Sequence, residues 1–232
     1  MRKIIKLFKT GNVSVCGLKG AGKDMLFANV VLRRKAPYIS NTNYGGYWIK
    51  FFPDQLNPRN TWKDFMSGLV KKYNYPFGDG IDFYIADGGV YMPSQAEKEL
   101  CREFPHIPVF MALSRHLGEC NVHYNVQNLN RMWDKIREQS DTYIRCIKCK
   151  VLFRRLVIQK VIIYEKYESA VNRVPPFSLR KSLINPDRRQ QWEIQKSNYQ
   201  IQHGEVKPRL LIYFNKSKYN TRIFKEMLEN GT

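Results

Sequence analysis

Short apolar runs alternate with longer amphipathic stretches through most of this chain. Residues 12–16 form a compact β-prone run, and residues 24–34 carry apolar positions at helical spacing as far as Pro37, where a helix must stop. Residues 38–40, 81–86, 121–126 and 142–148 read as further strands, and residues 61–73, 93–104, 109–117 and 129–139 as helices. Residues 41–58, rich in Asn, Gly, Pro and aromatics, read as loop or hairpin. Strands that alternate with helices predict an α/β fold with a mainly parallel central sheet flanked by helices. After Lys150 the pattern changes. Residues 151–164 are β-rich and basic, residues 174–189 hold Pro175-Pro176 and read as an exposed loop, and a strand at 209–214 and a short helix at 219–228 follow. The expected organisation is a core over residues 1–150 and a small basic β-rich C-terminal extension over residues 151–232, packed on the core or continuing it.

The turn after the first strand carries the clearest chemistry. It reads Gly17-Leu-Lys-Gly-Ala-Gly-Lys23, and a helix follows at once. Strand, glycine-rich turn, Gly-Lys and helix in that order form a nucleotide phosphate-binding loop. Gly17, Gly20, Ala21 and Gly22 would wrap backbone N–H groups around a phosphate, with Asp24 and Met25 opening the helix whose positive end faces the same anion. Lys23 would reach the terminal phosphates, so the expected ligands are ATP and Mg²⁺. Asp24 stands where Ser or Thr normally holds the cation. A carboxylate suits Mg²⁺ but adds negative charge beside the phosphates. Asp87, at the end of the 81–86 strand, fits the position of a second Mg²⁺ carboxylate, or else a turn or helix cap. Gly88 follows it where many ATPases have a Glu, which leaves Glu97 or Glu99, or slow turnover. Gln127 ends the next strand and is either a sensor of the terminal phosphate or turn chemistry beside Asn128. The candidate catalytic set is Lys23, Asp87 and Gln127, with Asp24 and Asp87 as metal ligands.

Charge adds a partner. The 232 residues include 39 Lys and Arg against 20 Asp and Glu, a net charge of +19. Such a surplus points to a polyanion or an anionic membrane. Basic groups including Arg154, Arg155, Lys160, Arg173, Arg180, Lys181, Arg188 and Arg189 lie among Phe153, Tyr164, Tyr167, Phe177 and Trp192, which suits single-stranded DNA without sequence preference. The five cysteines lack framework spacing and read as reduced thiols of a cytosolic protein. Cys146-x-x-Cys149 raises zinc, with His116, Cys120 and His123 as partners. Against it stand the lack of a second Cys pair and the strand geometry, which sets i and i+3 on opposite faces. Residues 1–10 are basic, Lys6 interrupts the apolar run, and no signal peptide or roughly 20-residue membrane span is expected.

Residues 114–118 (Ser-Arg-His-Leu-Gly), the strand ending at Gln127 and the run Asn128-Leu-Asn-Arg-Met-Trp-Asp-Lys-Ile-Arg137 resemble the zonular occludens toxin (Zot) family, the assembly ATPases of filamentous phages within the FtsK–HerA type. The family shows a similar Arg-His-His-Gly stretch, a strand ending in Thr-Gln and a helix that reaches an Arg. The resemblance spans about residues 12–150. It implies a ring of subunits that uses ATP to move single-stranded viral DNA during extrusion or packaging, with Arg115, Arg131 and Arg137 as candidate arginine fingers. The chain departs from the family at the Mg²⁺ Ser/Thr, at the Glu after Asp87, and in lacking a membrane-spanning segment. The expected setting is then the host cytoplasm, peripheral to the inner membrane through a virion or membrane-anchored partner. Two alternatives stand beside this: a nucleoside monophosphate kinase-like enzyme, and a DNA-binding protein that holds nucleotide without hydrolysis.

Overall fold

The computed structural model describes residues 1–50, 81–86, 121–132, 134–153, 155–177 and 189–216. Asp87, Glu97, Glu99, Arg115, His116, Cys101, Cys120, Arg154, Arg180, Lys181 and Arg188 lie outside the described residues, as do the helices expected at 61–73, 93–104, 109–117 and 219–228.

The architecture is α/β. In chain order the strands are β1 (Val13–Cys16), β2 (Tyr38–Ser40), β3 (Trp48–Lys50), β4 (Asp82–Ile85), β5 (Val122–Val126), β6 (Thr142–Leu152), β7 (Leu156–Tyr164) and β8 (Val206–Phe214). They form one sheet in the order β3-β2-β4-β5-β1-β6-β7-β8. Pairing is parallel from β3 through β6 and antiparallel from β6 through β8. β1, β4 and β5 are buried along their whole length, and the polar side chains they carry, Ser14, Asp82, His123 and Asn125, are buried with them.

Helices α1 (Arg2–Thr10) and α2 (Lys23–Arg34) cover one face. Ile4 and Phe8 of α1 pack with Leu26, Phe27 and Val30 of α2 on Val13, Val15 and Ile144. The other face holds Cys16, Tyr124, Tyr143 and Tyr164 against Ala170 of α4 (Tyr167–Val171). β3, inside the segment expected as loop or hairpin, pairs with β2 in parallel, so these two strands do not form a hairpin. The helix expected at 129–139 is broken. Asn128 caps a single 3₁₀ turn, Leu129–Arg131, by accepting from the Asn130 N–H at 3.2 Å. Buried Met132 is then extended, and α3 (Asp134–Arg137) begins after it. Three helices were missed by pattern: α1, α4, and α5 (Arg189–His203), whose only buried side chain is Trp192. A helix held by one anchor gives little periodic signal.

A buried polar cluster closes the amino ends of the strands. Arg34 of α2 pairs with Asp82 at the start of β4, and the Asn121 N–H donates to the same carboxylate at 2.8 Å. The Val13 N–H donates to His123 Nδ1 at 3.2 Å, which leaves the ring proton on Nε2, 3.6 Å from Asp82 Oδ2. Burial holds His123 below its ordinary pKa. Burial alone would raise Asp82, but hydrogen bonds and the Arg34 charge outweigh it and hold the carboxyl below its usual range. Because His123 stays neutral when folded and protonates readily when unfolded, its contribution to stability is present above about pH 6.5 and declines below it. Urea unfolding should therefore show stability falling below about pH 6.5, by up to about 1.4 kcal/mol per pH unit, with His123→Asn flattening that limb. Asp82→Asn should cost about 3 kcal/mol, because it leaves the Arg34 charge buried without its counter-ion.

Candidate functional site

The turn from β1 into α2 is built as the sequence motif requires. The Gly17 N–H donates to Val126 O of β5 at 3.3 Å, the Ala21 N–H closes the turn on Leu18 O at 3.1 Å, and the Leu26 N–H makes the first helical bond to Gly22 O at 2.9 Å. The N–H groups of Lys23, Asp24 and Met25 therefore precede the helical ladder, and no side chain caps them because the N-cap residue is Gly22. They form an anion-binding end at the carboxyl edge of the sheet. Met25 packs its side chain on the apolar core and offers only its backbone to a ligand.

β6 explains the glycines. It runs parallel to β1 as far as Arg145, opposite Cys16, and continues past the loop to Leu152. A Cβ on Gly17 would lie 2.6 Å from Cys146 O, and one on Gly22 would lie 2.6 Å from Cys149 Cβ. Both also have positive φ, at 153° and 83°. The register of β6 shifts between Cys146 and Lys148, a bulge of one residue. The expectation that Cys146 and Cys149 face opposite sides is corrected by this bulge: Cys146 lies in the core on the α2 face and Cys149 packs against it. Burial pushes both thiols above their ordinary range, so neither is a ready thiolate for a metal at neutral pH.

A feature that no motif announces holds the loop. Gln159 of β7, fully buried, donates from Nε2 to Gly22 O at 3.0 Å and Ala21 O at 3.2 Å, and lies 3.3 Å from Cys146 Sγ. Tyr213 of β8 donates its hydroxyl to Gln159 Oε1 at 2.8 Å. The loop carbonyls are thus tied toward the sheet, leaving the N–H groups to face the opposite way. The same end of β8 grips α2. Asn29 Nδ2 donates to Asn215 Oδ1 at 2.7 Å, the Lys216 N–H donates to Asn29 Oδ1 at 3.0 Å, and Arg33 donates to Phe214 O at 2.6 Å.

Lys23 is 6% exposed, and its Nζ lies 3.6 Å from Asp24 Oδ2. Asp24 Oδ1 accepts from Asn125 Nδ2 of β5 at 2.7 Å. One carboxylate oxygen of Asp24 thus remains suited to a hard cation beside a phosphate. Among the described residues no group of three His, Cys, Asp or Glu side chains could hold a metal by itself. A Mg²⁺ ion would be held by Asp24 together with nucleotide oxygens and water, where it would offset phosphate charge.

Gln127 is exposed and lines a cavity of about 160 Å³ with Gly17, Leu18, Asn128, Arg145 and Arg173, beside the phosphate loop and on the face away from α2. Arg131 is exposed on the same side of the chain, at the end of the 3₁₀ turn. Arg137 is placed differently. Its guanidinium bonds Asp134 at 2.8 Å and lies 5.0 Å from the centre of the Tyr167 ring, so it is engaged within its own subunit. Sequence reasoning did not single out Gln159, Tyr213, Asn125 or Arg145. The signal for Gln159 was there: Val157, Gln159 and Val161 share the inward face, and an amide amid apolar inward positions needs a partner.

No protein-family model and no curated protein matches the sequence. Solved structures do. The fold is similar to the genome packaging NTPase B204 from Sulfolobus turreted icosahedral virus 2 in complex with ATP-gammaS, at 16% identity and a TM-score of 0.45, covering 69% of this chain and 94% of that one. It is similar to the N-terminal domain of zonular occludens toxin from Neisseria meningitidis, at 8% identity and a TM-score of 0.43, covering 93% and 97%. It is also similar to EssC ATPases 2 and 3 from Geobacillus thermodenitrificans, at 11% identity and a TM-score of 0.41, covering 96% and 43%. The Zot resemblance read from the sequence thus reappears among solved structures. Identities this low describe the fold alone, and the reading of the site rests on its own geometry.

Three substitutions test the loop and its support. Gly22→Ala should abolish nucleotide binding and lower the melting temperature, since the added methyl meets Cys149 and the backbone is left-handed. Gln159→Leu should weaken ATP binding about tenfold in equilibrium titration. Tyr213→Phe should cost about 1 kcal/mol of stability through the lost hydrogen bond.

Proposed function

We propose that this chain is a nucleotide-driven ATPase that moves viral DNA, in single-stranded form, during virion assembly or packaging. The observation that carries the nucleotide half is the anion site at the start of α2: unpaired first-turn N–H groups, Lys23 beside them, and loop carbonyls turned away by Gln159. The DNA half is supported by the net charge of +19 and by the resemblance of residues 114–137 to the Zot family. ATP and Mg²⁺ are the ligands this reading requires, with Asp24 and Asp87 as cation carboxylates. Gln127 beside the loop is the sensor of the terminal phosphate. Arg131, exposed at the carboxyl edge, and Arg115 are the candidates to act on a neighbouring subunit in a ring. Among the described residues no helix is long and apolar enough to cross a membrane. Contact with a virion or membrane-anchored partner is part of the same proposal.

A second reading has one observation in its favour. Asp24 is already bonded to Asn125 and sits near Lys23, an arrangement that holds a phosphate loop together without metal. A protein of that kind would bind ATP tightly and turn it over slowly.

The two readings part in one experiment. ATPase activity of the full chain, measured with and without oligothymidylate, should rise with DNA and vanish in Lys23→Ala. Nucleotide binding without turnover under every condition would select the second reading. Magnesium titration adds a separate test of Asp24. If Asp24 holds the cation, Mg²⁺ tightens ATP binding in the wild type and has little effect in Asp24→Ala. If Asp24 only repels phosphate, Asp24→Ala binds metal-free ATP more tightly than the wild type does.

A further inference from the structure

We propose that the outer face of the β6–β7–β8 meander is a binding surface for single-stranded nucleic acid, with the phosphate backbone along β6 and the bases over β7 and β8. The inference rests on the DNA-handling reading above and goes beyond it by naming the surface. Side chains alternate across a strand, so the residues between Cys149, Gln159, Leu211 and Tyr213 point away from the phosphate loop. Pairing aligns them in rows. Lys148 lies opposite Lys160 and Lys160 opposite Leu210, while Lys150 lies opposite Ile158 and Ile158 opposite Ile212. The last row runs Leu152, Leu156, Phe214.

The face is therefore divided lengthwise. Its β6 side is basic: Lys148, Lys150 and the adjoining Lys160 are exposed. Its β8 side is apolar: Leu210, Ile212 and Phe214 are 64%, 58% and 67% exposed. No carboxylate occupies any of these rows. Exposed leucine, isoleucine and phenylalanine side by side on an edge strand are unusual in a surface meant only for water.

A polyanion with apolar faces matches both halves. β6 and β8 are two strand spacings apart, roughly 10 Å, about the reach from a phosphate to the far edge of its base. Lys148 and Lys150, two residues apart on one strand, are separated by roughly 6.6 Å, close to the step between successive phosphates of an extended strand. Duplex DNA keeps its bases stacked inside and would leave the apolar half unused. Single strands present them, and the Phe214 ring is a sequence-tolerant stacking platform, with Leu210 and Ile212 as apolar surface beside it. The face also continues toward Arg145 and Arg173 at the cavity beside Gly17, so a bound strand would pass next to the nucleotide site.

The test is fluorescence anisotropy of labelled oligothymidylate with the full chain over a range of salt, and the same titration with phosphatidylserine vesicles. The triple variant Lys148→Ser, Lys150→Ser, Lys160→Ser should bind oligothymidylate at least tenfold more weakly, and its log–log salt slope should fall by about two. Phe214→Ala should weaken binding about fivefold or more with the salt slope unchanged. Unaltered ATP affinity in both variants checks that each is folded. Wild-type affinity for the oligomer in both variants overturns the proposal, as does loss of vesicle binding alone, which would give the face to a membrane. A wild-type chain that binds no single-stranded DNA at all would instead sink the DNA-handling reading itself.

Discussion

The phosphate loop can face its ligand only because its carbonyls face something else. A glycine-rich turn carries as many acceptors as donors, and a phosphate tolerates only the donors. Gln159 resolves this by holding Gly22 O and Ala21 O from the sheet side, and Tyr213 fixes the amide so that its nitrogen is the end presented. The close approach of Cys146 and Cys149 belongs to the same constraint. The loop must lie near enough to β6 and β7 for an amide to reach it, and at that distance Gly17 and Gly22 have no room for a side chain. The glycines are thus explained twice, by conformation and by space.

This arrangement ties the two halves of the chain together. β6 crosses residue 150 without interruption, and β7 and β8 extend the same sheet on its far side. Asn29 and Arg33 bind the end of β8 to α2, while Gln159 binds β7 to the loop that starts α2. The helix that follows the phosphate loop is thereby gripped at its beginning and again along its length by residues from the C-terminal third.

Much of the core was legible because parallel strands buried on both faces are short, apolar and bounded by turns. β1, β2, β4 and β5 and the helix after the glycine-rich turn fall where the pattern put them. The misses at α5 and at the 3₁₀ turn have separate physical causes. α5 is held by Trp192, with Phe177 edge-on to it and tilted against Tyr199, and shows almost no periodic face. The 3₁₀ turn before α3 depends on Asn128 and on Met132 entering the core, a tertiary event that local propensity does not encode. At the site, Gly17, Lys23 and Asp24 were readable from spacing because backbone geometry at a phosphate loop is local. The roles of Gln159 and Tyr213 were not: an inward amide on β7 signals a buried partner, but only the sheet order brings Gln159 to Gly22, 137 residues away, and Tyr213 to Gln159. The surroundings of Arg137 were not legible either: a helix position says nothing of the Asp134 partner and the Tyr167 ring that lie against its guanidinium.

The bonded pair of Gln159 and Tyr213 also makes the nucleotide turn answerable to side chains far from it. Loss of either partner leaves a buried polar atom of the other without its bond. The interior between β7 and β8 thus acts as a mould for a turn that it does not adjoin in sequence, and a substitution buried there can reshape a nucleotide site it never touches.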